Sequence, residues 1–524
     1  MSFRAQPVTK RSLASALFLV LVVLCQRPLS PVFAKSVDVK AVNAAIDLCD
    51  GKDSTSDEII ASCTAVIQSG ALQGHDLSFA YFDRGGANSA EGRYDLAVAD
   101  FSQVITLDPS DAGAFSGRGF ANLSKGSYDL AASDFDRAIS LDASLAAPYA
   151  GRATIFYDKR QYDLAIPNYD KAISLDPKVA AFYADRGLAR TGENQYDPAI
   201  ADFFQALEVD PNNVDAYDGR GRAYFDKGFY VLAIADYTTA IGIDPNKSDR
   251  YYVRGLAYGS TGQFDLALTD FTKAISIDPN SSLAYQKRGA AYLFQGQFDL
   301  AIADLNKSLA TDPNAVDTYG YRGFVYAAKG QFAPAIADMN RMLSIAPDDT
   351  DGYRYRGFVY YLEGKRDLAV TDLTTALHIN PNLTSGYLER GVFLLALSRL
   401  SSASNDFARA VLLAPTDASS VLLLHASRMM TNVNDSREFT MNAARLNAQE
   451  WPDPIVQLYL GKSTPEKALA AAANSAQRCQ ANLFVAVWRL GRNMTSMTRS
   501  DVARATQSCP MVYLRLTGLS AYLR

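Results

Sequence analysis

Three histidines, His75, His378 and His425, lie far apart in this 524-residue chain, and none has a partner at the spacing of a metal site or a Ser-His-Asp arrangement. No Cys-x-x-Cys pair is present to act as a dithiol redox centre. The glycines recur at fixed intervals and do not gather into a phosphate-cradling loop. The one polar constellation that repeats is an arginine followed by a carboxylate sixteen residues later. Arg84, Arg118, Arg152, Arg186, Arg220, Arg254, Arg288, Arg322, Arg356 and Arg390 each have an aspartate there, except Arg152, which has Asn168. Such a column is either a ladder for an anionic polymer or a set of ion pairs joining two antiparallel helices. The pairing accounts for both members of each couple, so a scaffold link is the expected role, and no cofactor, metal or catalytic group is expected.

A period of 34 residues, unbroken from Ser78 to Pro415, must position these pairs. With each of the ten copies numbered 1 to 34 from Ser78, position 4 is aromatic throughout, from Tyr81 to Tyr387. Position 8 is Gly or Ala and position 20 is always Ala, from Ala97 through Ala233 to Ala403. Helices in close approach need small residues there, because a larger side chain would wedge them apart. Position 15 is Gly in seven copies, where a first helix must end in a left-handed residue, with Arg160, Asn194 and Ser398 in the other three. Position 32 is Pro in nine copies and ends a second helix, with Ala143 the exception. Each unit is therefore predicted to be a helix-turn-helix with too many apolar faces to stand alone, so neighbours must stack into a solenoid.

The chain opens with Arg4, Lys10 and Arg11, an apolar run from Leu13 to Cys25, and Val32-Phe33-Ala34 before Lys35, the pattern of a secretory signal peptide cleaved after Ala34. An uncleaved anchor is the competing reading, but the run is shorter than the roughly 20 residues a spanning helix needs. A lipid anchor on Cys25 is disfavoured by Leu24, where a small residue would be required. Cleavage leaves 47 Lys and Arg against 56 Asp and Glu, a net charge of −9 with no basic cluster, which argues against a nucleic-acid partner. Four cysteines remain, Cys49, Cys63, Cys479 and Cys509, and three pairings are formally open to them in an oxidising compartment.

The recurring aromatic, Arg-Gly, Tyr-Asp-Leu-Ala, Asp-Phe, Ala-Ile and Asp-Pro elements resemble the tetratricopeptide repeat (TPR), over 340 of the 524 residues. The resemblance implies an all-α fold, a right-handed TPR superhelical solenoid of about ten regular repeats with degenerate helical caps at both ends. The expected organisation is a signal peptide over 1–34, a helical hairpin cap over 35–77, ten tandem repeats over 78–417 and a degenerate TPR-like helical region over 418–524. In the cap, helices are expected over Val37–Leu48 and Glu58–Ser69. In the tail they are expected over Ser419–Met430 and Ser436–Gln449, followed by a break at Trp451-Pro452-Asp453-Pro454. A capping box of Ser463 and Glu466 then opens a helix to Ala476, and Asn482–Leu490 with Asp501–Ser508 makes a last hairpin. The tail is loosely similar to the end region of exported TPR adaptors of the NlpI type. A solenoid separates its ends in space, so only the local bridges Cys49–Cys63 and Cys479–Cys509 suit it, each stapling an end; four buried free thiols are the alternative.

In the family, ligands lie on a concave wall built by the first helices, so positions 2, 5, 9, 12 and 13 can differ for functional reasons. The carboxylate clamp of chaperone-binding relatives requires Lys at position 5 and Asn at position 9. Here position 5 runs from Phe82 and Ser116 to Arg354 and Leu388, and no Asn stands at position 9, so the clamp is absent. The candidates for contacting a partner are Phe82, Phe120, Tyr157, Phe225, Tyr252, Phe294, Phe324, Arg354 and Phe358, some of which the core must claim. The chain reads as a non-enzymatic scaffold of the cell envelope, periplasmic or secreted, holding a protein or peptide in that groove. The alternative is an accessory subunit for envelope polysaccharide assembly or export, its rings stacking on sugars. A peptide groove predicts mostly aliphatic and aromatic lining, whereas a glycan groove predicts rings alternating with carboxylates and amides. A cryptic enzyme in the tail is the weakest reading, since His425 has no evident base or nucleophile. The oligomeric state is open.

Overall fold

A computed structural model of the chain describes residues 48–49, 54–431, 433–447 and 450–490. Each repeat forms the same two helices. In the second copy they are Ala112–Ser124 and Tyr128–Leu141, positions 1–13 and 17–30, and these bounds recur as far as Thr384–Ala396 and Leu400–Leu413. The first copy starts early, at Gly74, and the first helix of the ninth runs to Glu363. The described residues contain no strand and form two compact units of consecutively packed helix pairs, one ending at Asp270 and the other beginning at Phe271.

Two local devices end the helices. Position 15 is left-handed in every copy, with φ from 72° at Gly92 to 94° at Gly364 among the glycines. Arg160, Asn194 and Ser398 adopt the same conformation, at 60°, 61° and 57°, so the turn geometry is imposed by the repeat even where a Cβ makes it costly. At the other connection the aspartate before the proline closes a small turn: the Asp108 carboxylate accepts the Ser110 N–H at 2.9 Å. Asp111 then caps the next helix by accepting the Ala114 N–H at 2.9 Å.

The alanines at position 20 are all fully buried. Position 24 sets the spacing between repeats. The Phe135 ring fills the space over Gly119 of its own repeat and Gly151 at position 6 of the next, so that a Cβ there would lie 2.6 Å and 2.3 Å from it. Phe101 with Gly117 and Phe203 with Gly219 repeat the arrangement. In the second unit the sizes are exchanged: Leu305, Met339 and Leu373 occupy position 24, while Tyr321, Tyr355 and Glu389 occupy position 6 of the following repeats.

At the start, Cys49 and Cys63 form a disulfide with their α-carbons 4.8 Å apart, closing the buried cluster of Val66, Leu72 and Ala80. The second arm of this hairpin is the helix Ser56–Ser69, opened by a capping box between Thr55 and Glu58. The signal-peptide segment, most of Val37–Leu48, Asp501–Ser508 and Cys509 lie outside the described residues; Cys479 is buried. The tail departs from the expectation in four places. The helix from Ser436 ends at Ala443, and a short helix, Asp453–Tyr459, begins within the expected break because Asp453 and Pro454 suit a first helical turn. The next helix is Pro465–Ala470, capped by Thr464 in place of Ser463, and Ser475–Leu490 starts seven residues before the expected Asn482.

Candidate partner-binding site

The repeating arginines are engaged by the scaffold. Arg84 Nε and Nη2 donate to the two oxygens of Asp100 at 3.0 and 2.7 Å, and the fork recurs in every copy except the third, where Arg152 Nε donates to Asn168 Oδ1 at 2.8 Å. A further donor reaches back to position 25 of the preceding repeat: Arg118 Nη1 to Ser102 at 3.2 Å, Arg254 to Thr238 at 3.0 Å, and Arg322 to Asn306 at 2.6 Å. Arg84 finds the equivalent acceptor, Thr64 at 3.0 Å, in the hairpin before the first repeat. Where position 25 is Phe204, Arg220 stacks over the ring at 4.3 Å. The aspartates are 2–6 % exposed, so the couple is a buried anchor between the two helices of a repeat, and the third donor ties it to the repeat before.

Position 5 is also a seam. In two copies its side chain meets position 3 of the next first helix: Arg250 Nε donates to both oxygens of Asp218 at 2.9 Å, and Gln286 Nε2 donates to Thr318 Oγ1 at 2.7 Å. Arg250 also donates to the Asp244 carbonyl at 2.6 Å and carboxylate at 2.8 Å, leaving it 3 % exposed. Burial pushes the Asp218 carboxyl up to about 6 against the pull of Arg250. At Asp218, Gln286 and Arg354 the residue at position 5 therefore serves contact between repeats.

In the first unit the expected partner-contacting residues are dispersed and packed on their own repeats. Phe82 lies edge-on to Phe101 at 5.4 Å, and Tyr157 and Phe225 lie edge-on to Tyr162 and Tyr230, each at 5.4 Å. Phe120 is a core residue, 2 % exposed against Phe135, because position 9 there faces the ring at position 24; it has no surface to offer a partner. Tyr252 is half-buried. In the second unit Phe294 stands 69 % exposed, Phe324 and Phe358 come together, and Arg354 shares the helix Thr350–Glu363 with Phe358.

That convergence involves residues the sequence reading passed over. Phe324 meets Tyr355 edge-on at 4.8 Å and Phe358 at 6.1 Å. Lys287 lies over the Tyr321 ring at 5.5 Å. Arg354 is held in a fork by Glu389 and by Asp351 at 2.5 Å. Burial opposes its charge, yet the Glu389 and Asp351 carboxylates outweigh that and raise its pKa. Burial also raises the Tyr321 phenol, pushes Tyr355 up to about 12 with help from Asp351, and pulls the Lys287 ammonium down against the distant Asp317 carboxylate. Lys287, Tyr321, Tyr355 and Glu389 are position 6 of four successive repeats. The signal was available in the sequence: position 6 is Gly117, Gly151 and Gly219 earlier in the chain, and the aliphatic residues at 305, 339 and 373 make room for larger groups here.

His425 is not partnerless, as its sequence surroundings suggest. Its Nδ1 lies 2.5 Å from Asp435 Oδ1, its ring stacks on Phe439 at 4.1 Å, and Arg428 pairs with Glu438 at 2.7 Å beside Asp435. The neighbouring hydroxyls are committed elsewhere, Ser427 to the Leu424 carbonyl and Tyr459 to the Phe484 carbonyl, so the pair organises the tail's core without presenting a nucleophile. Among the described residues no group of three His, Cys, Asp or Glu is placed to hold a metal ion.

Tetratricopeptide repeat family models match residues 83–146, 151–205, 248–281 and 271–303, and a TPR repeat model matches 189–228 and 221–262. Among solved structures, YrrB, described as a TPR protein with an unusual peptide-binding site, is 25 % identical over 35 % of this chain and 95 % of its own, at a TM-score of 0.32. A tetratricopeptide repeat protein from Parabacteroides merdae is 20 % identical over 45 % and 93 %, at 0.39. Yeast Tom70 is 15 % identical over 83 % and 99 %, at 0.42. No curated protein matches the chain.

Proposed function

The chain is a tetratricopeptide repeat protein, and on that premise we propose that it is a non-enzymatic adaptor of the cell envelope that holds a segment of a partner protein against its first helices. The observation that carries the reading is the strip from Lys287 to Glu389. The scaffold needs a side chain of some kind at each of these positions, but it does not need two tyrosines, a lysine and two phenylalanines on successive first helices. Half-buried rings that meet edge-on are the means by which such surfaces grip extended or helical segments. The glycan alternative asks for carboxylates free to hold sugar hydroxyls, and Asp351 and Glu389 are committed to Arg354, which favours a peptide. Placement in the periplasm or outside the cell rests on the signal-like start and is consistent with the Cys49–Cys63 bridge. TM helices play no part in the reading; no described helix is long and apolar enough to cross a membrane.

The test is capture from envelope extract by the full chain, read by mass spectrometry. Tyr321→Ala with Tyr355→Ala should lose the captured protein while keeping the helical signal. Retained capture by the folded double variant would move the contact surface elsewhere and sink the assignment.

A further inference from the structure

Lys287 is the cation of the strip that its own fold leaves unpaired. Arg354 has two carboxylates, whereas no carboxylate among the described residues lies within ion-pairing distance of Lys287. Asp317, at position 2 of the next repeat, acts on it only from farther away, and its one close neighbour of note is the Tyr321 ring. An ammonium in a half-buried, ring-lined site gives up part of its hydration without gaining an ion pair, and that cost is relieved when a bound group brings an acceptor of opposite charge. The arginines of this face are less suited to that role, because each is already held in an ion pair with Asp or Glu.

We infer that the strip reads a carboxylate side chain on the partner segment, received by the Lys287 ammonium and flanked by aromatic or aliphatic residues that lie on Tyr321, Phe324, Tyr355 and Phe358. The inference rests on the peptide-binding reading above and gives it a chemical preference: an acidic residue set between apolar ones. Lys287 stands at position 6 of its repeat, so the site uses a column different from the one a carboxylate clamp occupies. Opposite charge fixes register at one point and the rings supply the remaining contact, so the two contributions can be separated by substitution.

The full chain, its lysines reductively methylated with a carbon-13 label, is titrated with three probes: acetyl-Phe-Glu-Phe amide, its Gln analogue and its Lys analogue. The Glu probe should shift the Lys287 resonance, assigned by its absence in Lys287→Met, and bind at least about tenfold more tightly than the Gln probe, the scale of one charge-assisted hydrogen bond. Lys287→Met should lose that preference while still binding the Gln probe, and Lys287→Arg should retain it. Equal binding of the Glu and Gln probes, or an unmoved Lys287 resonance, overturns the inference. Tighter binding of the Lys probe overturns it too, and assigns the strip to a cation on Asp317. None of these outcomes touches the partner-capture reading, which fails only if the tyrosine double variant leaves capture intact.

Discussion

Gly151 lies inside the helix Ala146–Asp158, where replacing glycine with alanine ordinarily stabilises a protein by about 0.5–1 kcal/mol. Here the added Cβ would sit 2.3 Å from Phe135 Cζ and 2.7 Å from two neighbouring ring atoms, and the ring is itself fully buried with nowhere to retreat. Overpacking of this kind costs about 1–3 kcal/mol, so Gly151→Ala should be destabilising by a net of up to about 2.5 kcal/mol in spite of its better helix propensity. The second unit indicates the remedy. Leu305 stands in the place of that ring opposite Tyr321, so Phe135→Leu should create room for the methyl group. The double variant should then be more stable than the sum of the singles by about 0.5–1 kcal/mol, a coupling typical of residues in contact. Gly259→Ala is the control, since a Cβ there meets nothing within 4 Å and should be neutral or stabilising. Urea denaturation read by circular dichroism, with hydrogen exchange to localise the loss to the second and third repeats, measures all four. A stabilising Gly151→Ala, or strictly additive singles, would refute the account of how successive repeats are spaced.

Arg322→Ala leaves the Asp338 carboxylate, 5 % exposed, without its guanidinium and should cost about 3 kcal/mol, the low end for breaking a buried pair because Arg322 keeps some exposure. Asp338→Asn should cost less in the same denaturation experiment, since the third repeat already runs on Asn168. Asp218 binds its proton more tightly folded than unfolded, so its contribution to stability is greatest at low pH and falls as pH rises from about 4 to about 6, then levels off. A carboxyl carbon titration by NMR should find its midpoint near 6, and a midpoint at or below 4 would show that Arg250 outweighs burial. Reducing the Cys49–Cys63 bridge, which spans 14 residues, should remove up to about 3 kcal/mol of local stability. Hydrogen exchange should show that loss over Ser56–Ser69 and the first repeat and leave later repeats protected.

The columns legible in the sequence are those whose cause lies within one repeat. The alanines at position 20, the left-handed position 15 and the arginine-aspartate couple each answer to a neighbour a fixed distance along the chain, so ten copies make them plain. Position 5 is harder to read because part of its surroundings sits in the next repeat: Asp218 and Gln286 bond Arg250 and Thr318 there. Lys287, Tyr321 and Tyr355 were missed for the same reason, although reading position 24 of one repeat against position 6 of the next exposes the exchange of large and small. In the tail the period continues through Ala418–Met430, but His425 stands where a glycine should, and the following helices pack in a way no column describes.

The backward reach of the arginines gives the array an orientation. Each link to position 25 is made with the repeat before, as Arg118 makes with Ser102 and Arg356 with Asn340, and none of these links runs to the repeat after. Cut the array between two repeats, and the leading fragment keeps every arginine complete, while the trailing fragment begins with one that has lost its acceptor. A ribosome delivers the chain in that order, leading repeats first. Every arginine therefore emerges to find its partners, which for Arg220 include the Phe204 ring, either already folded or on its own repeat, and the array can be finished one repeat at a time from the exit side onward.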